Sequence, residues 1–144
     1  MSNVLFLCVA NSGRSVMAER LFSQIAGDRH AARSAGSSPS SAPHPQVVEA
    51  LAEIGIDARD HVPRPLDAEV LEWADVAVST CSEEVCPVTP GIRRINWHLR
   101  DPKGLPLEEV RPIRDEIGRL VEGLVDELND SGVSPRVEPQ RSRP

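Results

Sequence analysis

The sequence has no tyrosine, and its two phenylalanines and two tryptophans bring aromatic residues to 3%; a site that grips its ligand by stacking on rings has few providers here. Cysteine is scarce too: three residues, Cys8, Cys81 and Cys86, unevenly placed. That excludes the disulfide framework of a small secreted domain and leaves catalysis, redox work or packing as their uses. No apolar run approaches membrane-spanning length. Basic residues are outnumbered, 16 Lys and Arg against 22 Asp and Glu, and the net charge of −6 argues against a general nucleic-acid or membrane-surface binder. Any anion site must therefore be local. The run from Val4 to Cys8 is too short for the apolar region of a signal peptide and lacks a basic start, so a cytoplasmic location is expected. What is there is ordinary globular composition, 26% charged and 40% hydrophobic over 144 residues, enough for one domain with one core.

Val4-Leu5-Phe6-Leu7 is continuously apolar and reads as a central strand buried on both faces. After the polar stretch Val9 to Ser15, Met17, Ala18, Leu21, Phe22 and Ile25 recur at helical spacing, with Gly27 as the stop. Ser34 to Pro45 is rich in turn formers and reads as a surface loop near the site. Val47, Val48, Leu51 and Ile54 predict a second helix closed by Gly55, and Asp67 caps a third that ends near Trp73. Val76 to Ser79 is a short apolar strand running into Thr80-Cys81. The stripe Val110, Ile113, Ile117, Leu120, Val121, Leu124 and Leu128 marks a long last helix with Pro112 in its first turn. A domain over 1–129 is expected, with a disordered tail over 130–144 that lacks any apolar period. Strands alternating with helices imply a mostly parallel sheet covered on both faces, with the ligand site at the carboxyl ends of the strands.

Cys8 ends the first strand. Val9, Ala10, Asn11, Ser12, Gly13, Arg14 and Ser15 join it to the first helix, so backbone N–H groups and the positive end of a helix dipole can converge on one point as an anion cradle. Gly13 lets the backbone curl, and Arg14 offers a planar fork of donors to two oxygens. A helix N-terminus with a guanidinium beside it favours the thiolate, so Cys8 is expected to be nucleophilic, with Ser15 donating a further hydrogen bond. A lone cysteine at a strand end is most often a small buried hydrophobe; the surroundings of Cys8 argue otherwise. Asn11 is expected to hold the loop's shape by side-chain hydrogen bonds. His44 and His98 sit in loop-like sequence and are not expected to be catalytic, and His30 and His61 read as surface residues.

A strand, then Cys8 with Arg14 six positions on, then a helix resembles the low-molecular-weight protein tyrosine phosphatase superfamily. Within it the chain is similar to the thioredoxin-type arsenate reductases, whose Cys-x-x-Asn-Ser-x-Arg-Ser loop and Met-Ala helix start are matched by Cys8, Asn11, Ser12, Arg14, Ser15, Met17 and Ala18. Ser34-Ala35-Gly36, Gly55-Ile56-Asp57, Cys86-Pro87 and Asp101-Pro102 extend the resemblance from residue 4 to about residue 128. The fold it implies is a single-domain α/β three-layer sandwich with a central four-stranded sheet. The activity it implies is attack of the Cys8 thiolate on arsenate, with the loop N–H groups and Arg14 holding the oxygens and Asp101 as general acid. Phosphate or sulfate would serve as analogues.

By the same resemblance, Cys81 attacks the arsenic adduct, Cys86 takes over the disulfide, and thioredoxin reduces it. From the residues alone, metal ligation is disfavoured because only His98 lies near the two cysteines, so no metal site is expected, while passive packing stays open. Two departures stand out: the cysteine spacing is shorter than in thioredoxin-linked members, and Gly13 stands where many of them carry another cysteine. The loop with its glycine, Trp97 to Pro102 and Arg111 to Asp115 also resemble the arsenate mycothiol transferases, in which Cys8 alone would be essential and mycothiol with mycoredoxin would supply the thiols. A phosphotyrosine phosphatase is a further alternative, but Lys103-Gly104 follows Asp101-Pro102 where the phosphatases carry aromatic residues. A redox sensor or oxyanion-binding module would have no use for Asp101. No bound cofactor is expected, and a monomer is expected.

Overall fold

The computed structural model describes residues 1–80 and 92–133. Among the described residues eight elements follow one another: β1 (Asn3–Cys8), α1 (Arg14–Ala26), β2 (Ala31–Gly36), α2 (Pro45–Ala52), α3 (Ala68–Trp73), β3 (Val76–Ser79), β4 (Arg93–Asn96) and α4 (Leu107–Val133). The four strands form one sheet in the order β2-β1-β3-β4, and every neighbouring pair is parallel. This is the expected α/β sandwich, and it follows from β1: a strand apolar from Val4 to Cys8 can be satisfied only with helices on both faces. Val4 and Phe6 point into the larger core formed with α1, α2 and α4. Leu5 and Leu7 point the other way, with Ala35, Ala77 and Val70 of α3. Phe6 meets Phe22 edge to face, 5.6 Å between ring centroids.

The chain leaves β1 to build β2 on one side and later returns to add β3 on the other. Cys8 thus stands at the carboxyl end of the strand where the winding reverses, the place where open parallel sheets hold ligands. No helix among the described residues is long and apolar enough to cross a membrane.

Several elements fall where the periodicity put them. Gly27, at φ 60°, closes α1 by donating its N–H to Ser23, and the Asp67 carboxylate caps α3 through the Val70 N–H. Others do not. Ser34-Ala35-Gly36 is strand rather than loop; Ala31–Gly36 carries no β-branched or aromatic residue, and it is a strand because each residue pairs in register with β1. Pro112 lies inside α4 rather than in its first turn, because the helix starts at Leu107, earlier than the apolar stripe. The helix also continues through Asp130 to Val133, into the segment expected to be tail. His30 and His61, expected at the surface, are 6% and 8% exposed. His30 bridges the residue before β1 to α4: its Nδ1 accepts the Ser2 N–H at 3.0 Å, which leaves Nε2 to donate to Asn129 Oδ1 at 2.8 Å. Cys81, Cys86 and the tail beyond residue 133 lie outside the described residues.

Candidate active site

The loop from Cys8 to Arg14 is shaped by what its carbonyls do. Cys8 O accepts Ser37 N–H at 3.3 Å, Val9 O accepts Ser38 at 2.8 Å, Ala10 O accepts Ser40 at 3.0 Å, Ser12 O accepts His44 at 2.9 Å and Gly13 O accepts Met17 at 3.1 Å. Asn11 O accepts the Nε2–H of His61 at 3.0 Å. Every carbonyl from 8 to 13 is therefore turned outward and satisfied. In a trans peptide the N–H points opposite to the preceding C=O, so the N–H groups of residues 9 to 14 are turned away from those partners, to the side where the Asn11 N–H meets the sulfur. Cys8 Sγ lies on that side and receives the Asn11 N–H at 3.1 Å. No side chain caps α1 and no acidic residue occupies its first turn, so the positive end of the helix faces the same space.

Asn11 carries the turn that makes this possible. Its φ is left-handed, 52°, a conformation asparagine tolerates. Its Oδ1 accepts the Arg64 N–H at 3.0 Å, and its Nδ2 donates to Ser15 Oγ at 2.9 Å. Since Ser15 Oγ accepts there, its own hydrogen is free to point at Cys8 Sγ, 2.8 Å away. The buried sulfur thus meets two donors, an arrangement that suits a nucleophilic thiolate. His61 completes the support from below. Burial holds its pKa below the usual histidine value, against the opposing pull of the Asn11 carbonyl, so the ring is neutral and acts as a fixed donor.

Gly36, at the end of β2, is the second fixed point. A Cβ there would stand 2.4 Å from Val9 O and 2.9 Å from Asn11 N, so the strand end and the loop backbone pass too closely for any side chain. Reading Ser34 to Pro45 as a loop hid this role; His61, read as a surface residue, and Arg64, not singled out, were missed because their partner Asn11 lies 50 and 53 positions away. The signal available was the Ser34-Ala35-Gly36 landmark itself.

Arg14 opens α1, its guanidinium largely covered, with NH1 donating to Leu99 O at 3.1 Å. Its NH2 lies 3.8 Å from Asp101 Oδ2. Asp101 comes from the segment between β4 and α4; its Oδ1 accepts the Lys103 N–H at 3.0 Å, and its carboxyl is 57% exposed. The fold thus brings Cys8, Asn11, Ser12, Gly13, Arg14, Ser15 and Asp101 to one mouth. His98 is exposed. Cys81 and Cys86 lie outside the described residues.

The family model described as low molecular weight phosphotyrosine protein phosphatase matches residues 3–134. The chain belongs to that family. A Bacillus cereus protein named arsenate reductase 2 is 38% identical over 121 residues, 82% of this chain and 90% of its own length. The thioredoxin-dependent arsenate reductase of Corynebacterium glutamicum superposes with a TM-score of 0.79 at 36% identity; the match covers 91% of this chain but only 63% of that one. A solved structure titled an arsenate reductase in the phosphate binding state has a TM-score of 0.78 at 31% identity, covering 88% of this chain and 98% of its own. The phosphatase-family resemblance and the sandwich fold read from the sequence both stand.

Proposed function

We propose that this chain reduces arsenate to arsenite through a covalent Cys8–arsenic adduct. The observation that carries the reading is the loop itself: six outward carbonyls, inward N–H groups, and a sulfur placed among them at the open end of α1. A tetrahedral oxyanion seated there meets backbone donors and Arg14 at the oxygens that gain charge. The Cys8 thiolate forms the S–As bond as hydroxide leaves, and Asp101 supplies the proton that makes the leaving group water. Arsenate rather than an aryl phosphate is favoured by the names of the relatives and by the chain's own poverty in rings. There is no tyrosine, and Lys103 and Gly104 follow Asp101-Pro102.

In the finer reading, a Cys81 thiolate attacks Cys8 Sγ. The S–As electron pair then passes to arsenic, which leaves as arsenite, and a Cys8–Cys81 disulfide remains; Cys86 exchanges into it, and thioredoxin reduces the result. Two features favour this over a mycothiol transferase that needs Cys8 alone. Thr80, just before Cys81, is bonded through its N–H and its hydroxyl to the carbonyl of Leu7, just before Cys8, and the Corynebacterium glutamicum relative is named thioredoxin-dependent. The test is arsenite release by wild type, Cys81→Ser and Cys86→Ser with a thioredoxin system or with mycothiol and mycoredoxin. Turnover with thioredoxin, limited to one cycle in both variants, is expected. Turnover only with mycothiol, retained by both variants, would replace the relay by transfer. Silence toward arsenate with rapid aryl phosphate hydrolysis would leave a phosphatase.

A further inference from the structure

The Asp101-Pro102 corner approaches the anion loop at Gly13, and one more group meets both. A Cβ built on Gly13 would stand 3.0 Å from Pro102 Cγ and 3.2 Å from His44 Cδ2, so the imidazole and the proline ring crowd the same side of that glycine. His44 is tied to the loop twice, through its N–H to Ser12 O at 2.9 Å and through Nε2, 3.3 Å from Ser12 Oγ. From behind it is held by α2, whose Val47 and Val48 N–H groups donate to its carbonyl. Asp101 has much weaker moorings: a bond to the Lys103 N–H and a 3.8 Å ion pair with Arg14, on a carboxyl that is mostly exposed.

We propose that His44 is a positioning residue for the proton step: bonded to Ser12 and sharing with Pro102 the space over Gly13, its ring sets where the Asp101 carboxyl stands over the oxyanion loop. The inference rests on the reading of Asp101 as general acid. A ring suits the task only if it brings no charge, since an imidazolium would hold Asp101 ionised when it must carry a proton. Burial depresses the pKa of His44, outweighing the upward pull of Asp101, and Lys103 adds to the depression. The ring is therefore a neutral wall and hydrogen-bond partner at neutral pH. Because the backbone N–H to Ser12 survives any substitution except proline, the ring's part can be removed without removing the helix start.

The experiment compares His44→Ala, His44→Gln, Asp101→Asn and the double variant His44→Ala with Asp101→Asn, reading single-turnover consumption of arsenate and, separately, affinity for inorganic phosphate. His44→Ala is expected to slow the chemical step about 10- to 100-fold, the usual consequence of misplacing a reacting group by a fraction of an ångström to an ångström. Phosphate affinity should stay within about twofold, because the loop N–H groups are untouched. Glutamine, whose amide can still reach Ser12, should recover most of the rate. In the Asp101→Asn background the alanine should cost almost nothing further, since both changes remove one function. The proposal is overturned if His44→Ala matches wild type, if it acts by weakening phosphate binding, or if it slows Asp101→Asn as much as it slows wild type. A fast Asp101→Asn would bring down the general-acid reading and this inference with it; a slow Asp101→Asn with an independent His44 effect would bring down this inference alone.

Discussion

At the scale of single residues the site is decided by close approaches. Gly36 has no room for a side chain, because its neighbours are the backbone oxygen of Val9 and the backbone nitrogen of Asn11, and neither moves without the loop. Gly36→Ala is therefore expected to cost roughly 1–3 kcal/mol and to abolish phosphate binding; thermal melts with and without phosphate would check both, and unaltered phosphate affinity would refute the argument. Gly13→Ala should be milder for stability and phosphate affinity, since the atoms a Cβ meets there belong to the side chains of Pro102 and His44 rather than to backbone, but it should slow the chemical step, because the shift falls on the groups that place Asp101. Cys8→Ser should keep the fold and end arsenite formation, as the hydroxyl is a poor nucleophile where the thiolate is a good one. Asp101→Asn should leave phosphate binding and slow the chemistry about 100-fold or more, measured in single turnover.

At the scale of elements, α3 and α4 are held in place by specific polar contacts as well as by their apolar faces. Asp67 satisfies one of the N–H groups that begin α3, and Asp67→Ala should cost about 1 kcal/mol in chemical denaturation with little change in activity. The tie between α4 and α2 is Arg114, whose NH1 donates to Ala50 O at 2.8 Å and to Glu53 Oε1 at 2.9 Å. Arg111 grips the same carboxylate through Nε and NH2, and together they hold Glu53 below the usual carboxylate range, Arg111 more strongly. Yet Arg114 is 10% exposed and Arg111 45%, so solvent screens the second pair. Arg114→Ala should lower Tm more than Arg111→Ala, because it leaves the buried Ala50 carbonyl unpaired; equal losses would contradict this. On the opposite side, Arg93 and Glu127 join β4 to α4.

At the scale of the whole molecule, stability should depend on pH through the groups packed beneath the loop. His61 faces the Asn11 carbonyl, with Glu19 pulling its pKa up and Arg20 and Arg64 pushing it down, but burial is the largest influence and depresses it below 6.5. The unfolded chain therefore binds a proton that the folded one resists. Stability from this group is complete above the ordinary value and falls as pH drops below it, toward the lower folded value. His61→Gln should flatten the decline in stability between about pH 7 and pH 5 relative to wild type. A difference curve of equal slope would show that His61 does not carry the dependence.

Local sequence determined those parts of the protein whose cause is local. The strand before Cys8, the period of α1 and α4, the Asp67 cap and the Gly27 stop are written in runs and spacings, because burial on one or both faces demands apolar residues at fixed intervals. The anion loop was legible too, since a strand, a glycine, an arginine and a helix start within eight residues leave its N–H groups little choice of direction. Tertiary structure alone decided the rest. Ala31 to Gly36 has no intrinsic strand character and becomes β2 only through its ladder with β1. His30 and His61 look like surface residues until elements far along the chain close over them, and Gly36 is an ordinary glycine until Val9 passes 2.4 Å from where its Cβ would be. Those roles depend on contacts between residues 25 to 100 positions apart, and no local pattern encodes a partner at that distance, because only the packed core brings the two together.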